Sequence, residues 1–260
     1  MKQRIITAMM LLAGVVFFLG FAGLPLRIMC AVICFVATKE ILDVVNKDHS
    51  LPMPIQILTY IFAQVFYFAN QSQLMAPSHL FFFYMILIYM CVVLFKEFSI
   101  EKAFVLISMI PLVMTGIRGF YTITTIHSRL NLLFLGFATY GCDAGAYFAG
   151  YFFGKTKLIE RLSPKKTVEG AIGGIIFGTA LAAVLGFLFN IGMTPLQFIP
   201  LAIILTITSQ FGDLTFSALK RQYQIKDYGH ILPGHGGVID RTDSFIFNVV
   251  VYVIVFTFLV

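Results

Sequence analysis

This 260-residue chain contains no tryptophan, and only 12% of its residues are charged. A soluble domain usually carries about twice that charge. With 59% hydrophobic residues and several apolar runs of near 20 residues, the chain belongs to the membrane class. No ten-residue segments of alternating polarity occur, which excludes a transmembrane β-barrel. Without tryptophan, any aromatic belt at the membrane surface is built from the 29 phenylalanines and 11 tyrosines. The four cysteines, Cys30, Cys34, Cys91 and Cys142, all lie in apolar runs with no CxxC spacing. That excludes a disulfide framework or a zinc knuckle and makes them small buried side chains. There is no low-complexity tail and no soluble domain. The formal charge of +6 points to cytoplasmic loops and anionic lipids or substrates rather than to nucleic acid.

What is present is a succession of apolar spans. Length and hydropathy predict nine, at about 5–22, 24–43, 52–70, 79–95, 103–122, 131–153, 169–190, 196–216 and 240–260. In hydrocarbon they must be helices, because only a helix satisfies its own backbone hydrogen bonds. The expectation is an all-α polytopic integral membrane protein. The start, MKQRIITAMMLLAGVVFFLG, has the charged head and apolar body of a signal peptide but no clear cleavage site, and reads as a retained first helix. With the N-terminus cytoplasmic and nine alternating spans, fifteen Lys and Arg fall inside and three (Arg27, Arg118 and Arg129) outside. That bias places a multi-pass protein in the cell membrane with its chemistry, and an active-site cavity, facing the cytoplasm. Residues 1–129 read as scaffold and 130–260 as the catalytic region.

One stretch does not fit a lipid-soluble chain. Ser217 to Asp243, SALKRQYQIKDYGHILPGHGGVIDRTD, holds Lys220, Arg221, Lys226 and Arg241 together with Asp227, Asp240 and Asp243. Asp213, Ser217 and Lys220 recur at i, i+4 and i+7 on one helical face. Asp240 and Asp243 open the ninth span at i, i+3. These acids are expected at similar depth, near the inner ends of two adjacent helices. Pro233 stiffens a turn in which Gly234, Gly236 and Gly237 allow close backbone approach to a ligand, with His235 available to a phosphate. Upstream, Asp143 lies within the sixth span and should face a wet cavity or a partner. In LSPKKTVEGAIGG, Ser163 is expected to cap a helix with Pro164 in its first turn. Lys165 and Lys166 would then join the free amides of that helix as an anion site. Gly170, Gly174 and Gly178 form overlapping GxxxG patterns suited to helix packing.

Each of these residues also has a bland reading. On that reading the acids are matched by Lys220, Arg221 and Arg241 as ion pairs, the lysines only set orientation, and Asp143 only bonds a neighbouring helix. Taken together, cations, carboxylates and glycine turns at the membrane surface suit a metal-bound polyphosphate and a lipid co-substrate. Phosphoryl or nucleotidyl transfer to a lipid needs positioning and charge neutralisation more than a covalent nucleophile.

The segments SALKR, Lys226-Asp227, LPGHGG and Asp240-Arg241-Thr242-Asp243 resemble the signature of the phosphatidate cytidylyltransferases, or CDP-diacylglycerol synthases. Asp143 with GAYFAG, SPKKTVEG at 163–170 and Gly212-Asp213-Leu214 are similar to the same family. The likeness is strong in the C-terminal half; the N-terminal half shares only its run of plain helices. One position departs: members commonly carry Glu before the signature serine, where this chain has Phe216. The resemblance implies that CTP and phosphatidate give CDP-diacylglycerol and pyrophosphate. It implies Mg²⁺ on Asp213, Asp240 and Asp243, with room for a second cation. Lys220, Arg221, Lys226 and Arg241 would hold phosphates, Lys165 and Lys166 would cover the triphosphate, and Asp227 would orient Lys226. Ser217, His235, Gly236, Gly237 and Asp143 would line the substrate site. The alternatives are a CTP-dependent enzyme of another membrane lipid and, in a different class, an ion-coupled transporter. A transporter's acids should lie at midplane on broken helices, whereas these gather at one face. A homodimer through the glycine faces is compatible with the sequence.

Overall fold

A computed structural model describes residue 20, residues 23–69, 76–232 and 234, and residues 236–259. Eight α-helices occur among them: α1 (Leu24–Val45), α2 (Met53–Phe68), α3 (Pro77–Leu94), α4 (Ile100–Thr122), α5 (Arg129–Phe153), α6 (Val168–Leu188), α7 (Pro195–Gln222) and α8 (Ile239–Leu259). Helices thus occur at eight of the nine expected positions, with α7 running six residues beyond its expected end. The expected span at 5–22 lies almost wholly outside the described residues, as do Pro233 and His235. By length and composition, α3, α4 continued through Thr125, α6, α7 and α8 can each cross a membrane. α2 is apolar but shorter, and α1 carries Arg27, Lys39, Glu40 and Asp43. A π-helical turn, Ile123–His127, separates α4 from α5.

The fold is not purely helical. Lys157–Ile159 (β1) and Ser163–Thr167 (β2) pair as an antiparallel hairpin with an irregular register. This corrects the expectation of a helix starting at Ser163. The cap of α6 is Thr167, whose hydroxyl accepts from the Gly170 amide at 3.1 Å. The physical reason lies in the two lysines. Ammonium groups in a first turn oppose the positive end of the helix dipole, whereas starting at Val168 puts Glu169 there instead. The Glu169 carboxylate also accepts from the Lys155 and Thr156 amides at 3.1 and 3.2 Å.

The chain packs as two compact units, Met1–Arg118 with Tyr223–Arg241, and Gly119–Gln222 with Thr242–Val260. In the first, α1 contributes Leu26, Cys30, Cys34, Ala37 and Ile41, all buried at helical spacing. Tyr84 of α3 stacks on Phe62 of α2 with ring centroids 3.9 Å apart, and its hydroxyl lies 3.2 Å from that of Thr59. In the second unit, α5 and α6 approach closely through small residues. A Cβ on Gly145 would meet Phe177 at 2.6 Å, one on Gly174 would meet the Cys142 carbonyl at 2.7 Å, and one on Gly178 the Ala138 carbonyl at 2.7 Å. The GxxxG patterns therefore serve packing within the chain. Asn248 of α8 links this core, accepting from the Thr208 hydroxyl at 2.7 Å and donating to the Thr139 hydroxyl at 2.8 Å.

Candidate active site

Two constellations hold the residues singled out above, one in each unit. In the second unit the centre is Asp213, half-buried on α7. The Lys166 ammonium forms an ion pair and hydrogen bond with its Oδ2. Strand geometry explains why Lys166, and not Lys165, makes this contact. Successive side chains on β2 point to opposite faces, so Lys165 stays exposed. Asp143, exposed on α5, is within electrostatic reach of both Lys166 and Asp213. Asp243, buried near the start of α8, feels Asp213, Lys220 and Asp143. Three carboxylates and two ammonium groups from α5, β2, α7 and α8 thus converge. Ser217 lies half-buried one turn beyond Asp213. Arg221 is tied down: its Nε donates to the Leu162 carbonyl at 3.4 Å. Phe216, where relatives of the resembled family commonly have Glu, is wholly buried, so this position belongs to the core of the unit.

In the first unit the glycine turn folds back on itself, with the Leu232 amide donating to the Gly236 carbonyl at 2.9 Å. Gly234 and Gly236 take φ of 75° and 83°, the left-handed region that glycine enters without penalty. Asp240 pins the turn from α8. Its Oδ2 accepts from the amides of Tyr228 at 2.7 Å and Gly237 at 3.0 Å. A cavity of about 470 Å³ is lined by Lys226, Asp227, His230, Leu232, Gly234, Gly236 and Arg241. The carboxylates of Asp240 and Asp227 both press on Gly236, where a Cβ would lie 2.9 Å from Asp240 Oδ2 and 3.4 Å from Asp227 Oδ1. His230, passed over in the sequence, lines this cavity.

Glu40 is the larger omission. It is buried at 1% exposure on α1, and its Oε1 and Oε2 accept from the amides of Val238 at 2.8 Å and Ile239 at 2.9 Å. Gly237 and Gly229 face it so closely that a Cβ on either would come within 2.6 or 2.8 Å of Oε1. The closeness of Gly237 is thus to a protein carboxylate. The signal was legible as an acid inside an apolar helix.

Oxygen donors beside ammonium groups fit a magnesium-bound polyphosphate, since Mg²⁺ usually takes one or two protein carboxylates and keeps waters and phosphate oxygens. Among the described residues no three acids, histidines or cysteines already surround one point.

The model of a family described as "Cytidylyltransferase family" matches residues 2–259. The chain is 34% identical over 260 residues to a phosphatidate cytidylyltransferase of Bacillus subtilis (strain 168), covering 95% of this chain and 94% of that one. It is 33% identical over 251 residues to a protein of the same name from Staphylococcus saprophyticus, and 32% identical over 251 residues to one from Staphylococcus haemolyticus, with 95% of each chain covered.

Proposed function

The chain belongs to the cytidylyltransferase family, and on that premise we propose that it transfers the cytidylyl group of CTP to phosphatidate within phospholipid biosynthesis. An oxygen of the lipid phosphate attacks the α-phosphorus of CTP. The bond from that phosphorus to the bridging oxygen of the β-phosphate breaks, giving CDP-diacylglycerol and pyrophosphate. The lipid phosphate is largely ionised near neutral pH, so no strong general base is required. The observation that carries the reading is the convergence of Asp143, Lys166, Asp213, Lys220 and Asp243 from α5, β2, α7 and α8.

The roles follow from charge and reach. Lys166 and Lys220 neutralise triphosphate oxygens, and Lys165 adds an exposed positive charge beside them. Lys226 and Arg241, on the cavity of the glycine turn, hold phosphate oxygens, and Asp227, on the same cavity, orients Lys226. Arg221 supports the site by joining the end of α7 to the segment before β2. Asp213 and Asp243, with Asp240 by the likeness of its motif, are assigned to Mg²⁺, which when bound neutralises charge developing on the leaving pyrophosphate. Asp143 holds a water or the substrate beside Asp213. Ser217, Gly236 and Gly237 line the substrate's approach, and His235, outside the described residues, keeps its assignment to phosphate.

The protein is a multi-pass membrane protein, and the bias of fifteen Lys and Arg against three supports a site facing the cytoplasm. Purified protein supplied with phosphatidate, labelled CTP and Mg²⁺ should form CDP-diacylglycerol; ATP in place of CTP should not support it. Ion flux into proteoliposomes with no nucleotidyl transfer would overturn this reading.

A further inference from the structure

Glu40 lies on α1, within the half of the sequence that otherwise reads as scaffold, and it takes no part in the chemistry above. Its environment is nevertheless that of a working group. A carboxylate buried at 1% exposure needs its charge compensated. Here the compensation comes from the two amides that open α8, one on each oxygen, at the positive end of the helix. Three residues on, Asp240 accepts from Tyr228 and Gly237. The two carboxylates therefore clasp four amides, those of Tyr228, Gly237, Val238 and Ile239, and fix both ends of the segment carrying the cavity. Gly229 and Gly237 pass the carboxylate where no side chain would fit. Lys226, Asp227 and Arg241, on this segment and at its end, line the cavity.

We propose that Glu40 is a positioning residue for the nucleotide: by holding the start of α8 and the glycine turn, it sets the cation-lined cavity to the geometry that binds the phosphates of CTP. The proposal rests on the cytidylyltransferase reading, which the wild-type assay tests by itself. A carboxylate is required, because an amide in its place turns an N–H donor toward one of two N–H donors.

Glu40→Gln should raise KM for CTP about tenfold. KM for phosphatidate should stay close to wild type, and the detergent-solubilised protein should keep a cooperative melt, its midpoint lowered only by the one mismatched amide. Gly229→Ala, which pushes a methyl group onto the same carboxylate, should raise KM for CTP in the same direction. In a Glu40→Ala background it should add nothing further, because the collision is gone. An unchanged KM for CTP in folded Glu40→Gln, or equal losses for both substrates, overturns the proposal. Should Glu40→Gln not fold, Gly229→Ala decides: a wild-type KM for CTP in that variant overturns it equally.

Discussion

Lys166 and a bound Mg²⁺ would compete for the Asp213 carboxylate, and that competition can be measured. In this structure the lysine compensates the aspartate, with side chains 30% and 29% exposed. If Asp213 also serves Mg²⁺, the ammonium must be displaced or shared whenever the cation arrives. At contact distance and an effective dielectric constant of about 20, such a pair is worth about 4 kcal/mol before costs. Solvent exposure and side-chain ordering reduce this to roughly 1 kcal/mol for a half-exposed pair. Lys166→Met removes the competitor, so the free Mg²⁺ concentration for half-maximal rate should fall about fivefold, the equivalent of that energy. The same variant loses a positive charge from the triphosphate site, so its KM for CTP should rise. The two effects have opposite signs, which a general loss of folding cannot produce. The assay is CDP-diacylglycerol formation against free Mg²⁺ at saturating CTP and phosphatidate in mixed micelles. A half-activating concentration that stays put or rises in Lys166→Met would refute the assignment of Asp213 to the cation.

Three further outcomes are expected. Asp240→Asn should abolish Mg²⁺-dependent product formation while the protein still inserts, and it should cost about 1–3 kcal/mol of stability in a melt because one of two clasped amides meets a donor; full activity would remove Asp240 from the site. Thr167→Ala should lower stability by about 1 kcal/mol, and Thr167→Ser should restore most of it, since the hydroxyl caps α6; equal melting of all three proteins would show that the cap is not used. In a cysteine-free background, a cysteine at position 165 should react with an impermeant thiol reagent only from the cytoplasmic side, and one at position 193 only from the other; the reverse labelling would invert the topology.

The helices were legible because twenty-residue apolar runs have few other meanings in this composition. The shared face of Asp213, Ser217 and Lys220 was also legible, since i, i+4 and i+7 spacing survives folding whenever the helix is regular. The hairpin was not. Ser163-Pro164 carries a helix-start pattern, and recognising the strand required weighing the two lysines against the dipole they would face. Arg221 shows a second limit: its contact with the Leu162 carbonyl depends on a partner 59 residues away. Glu40 shows the same limit at greater range. Its partners lie 198 and 199 residues further on, and no local pattern connects an acid in α1 to the glycines that make room for it.

The short hairpin carries one more consequence. A short strand that is polar on both faces, as SPKKT is, has a weakly specified register, and a slip of one residue would turn every side chain of the strand over. In most sequences that would withdraw the critical group from its partner. Here positions 165 and 166 are both lysine, so a strand shifted by one still presents an ammonium group to Asp213. The doubled residue acts as insurance against error, and the strand tolerates imprecise pairing without losing its charge at the site.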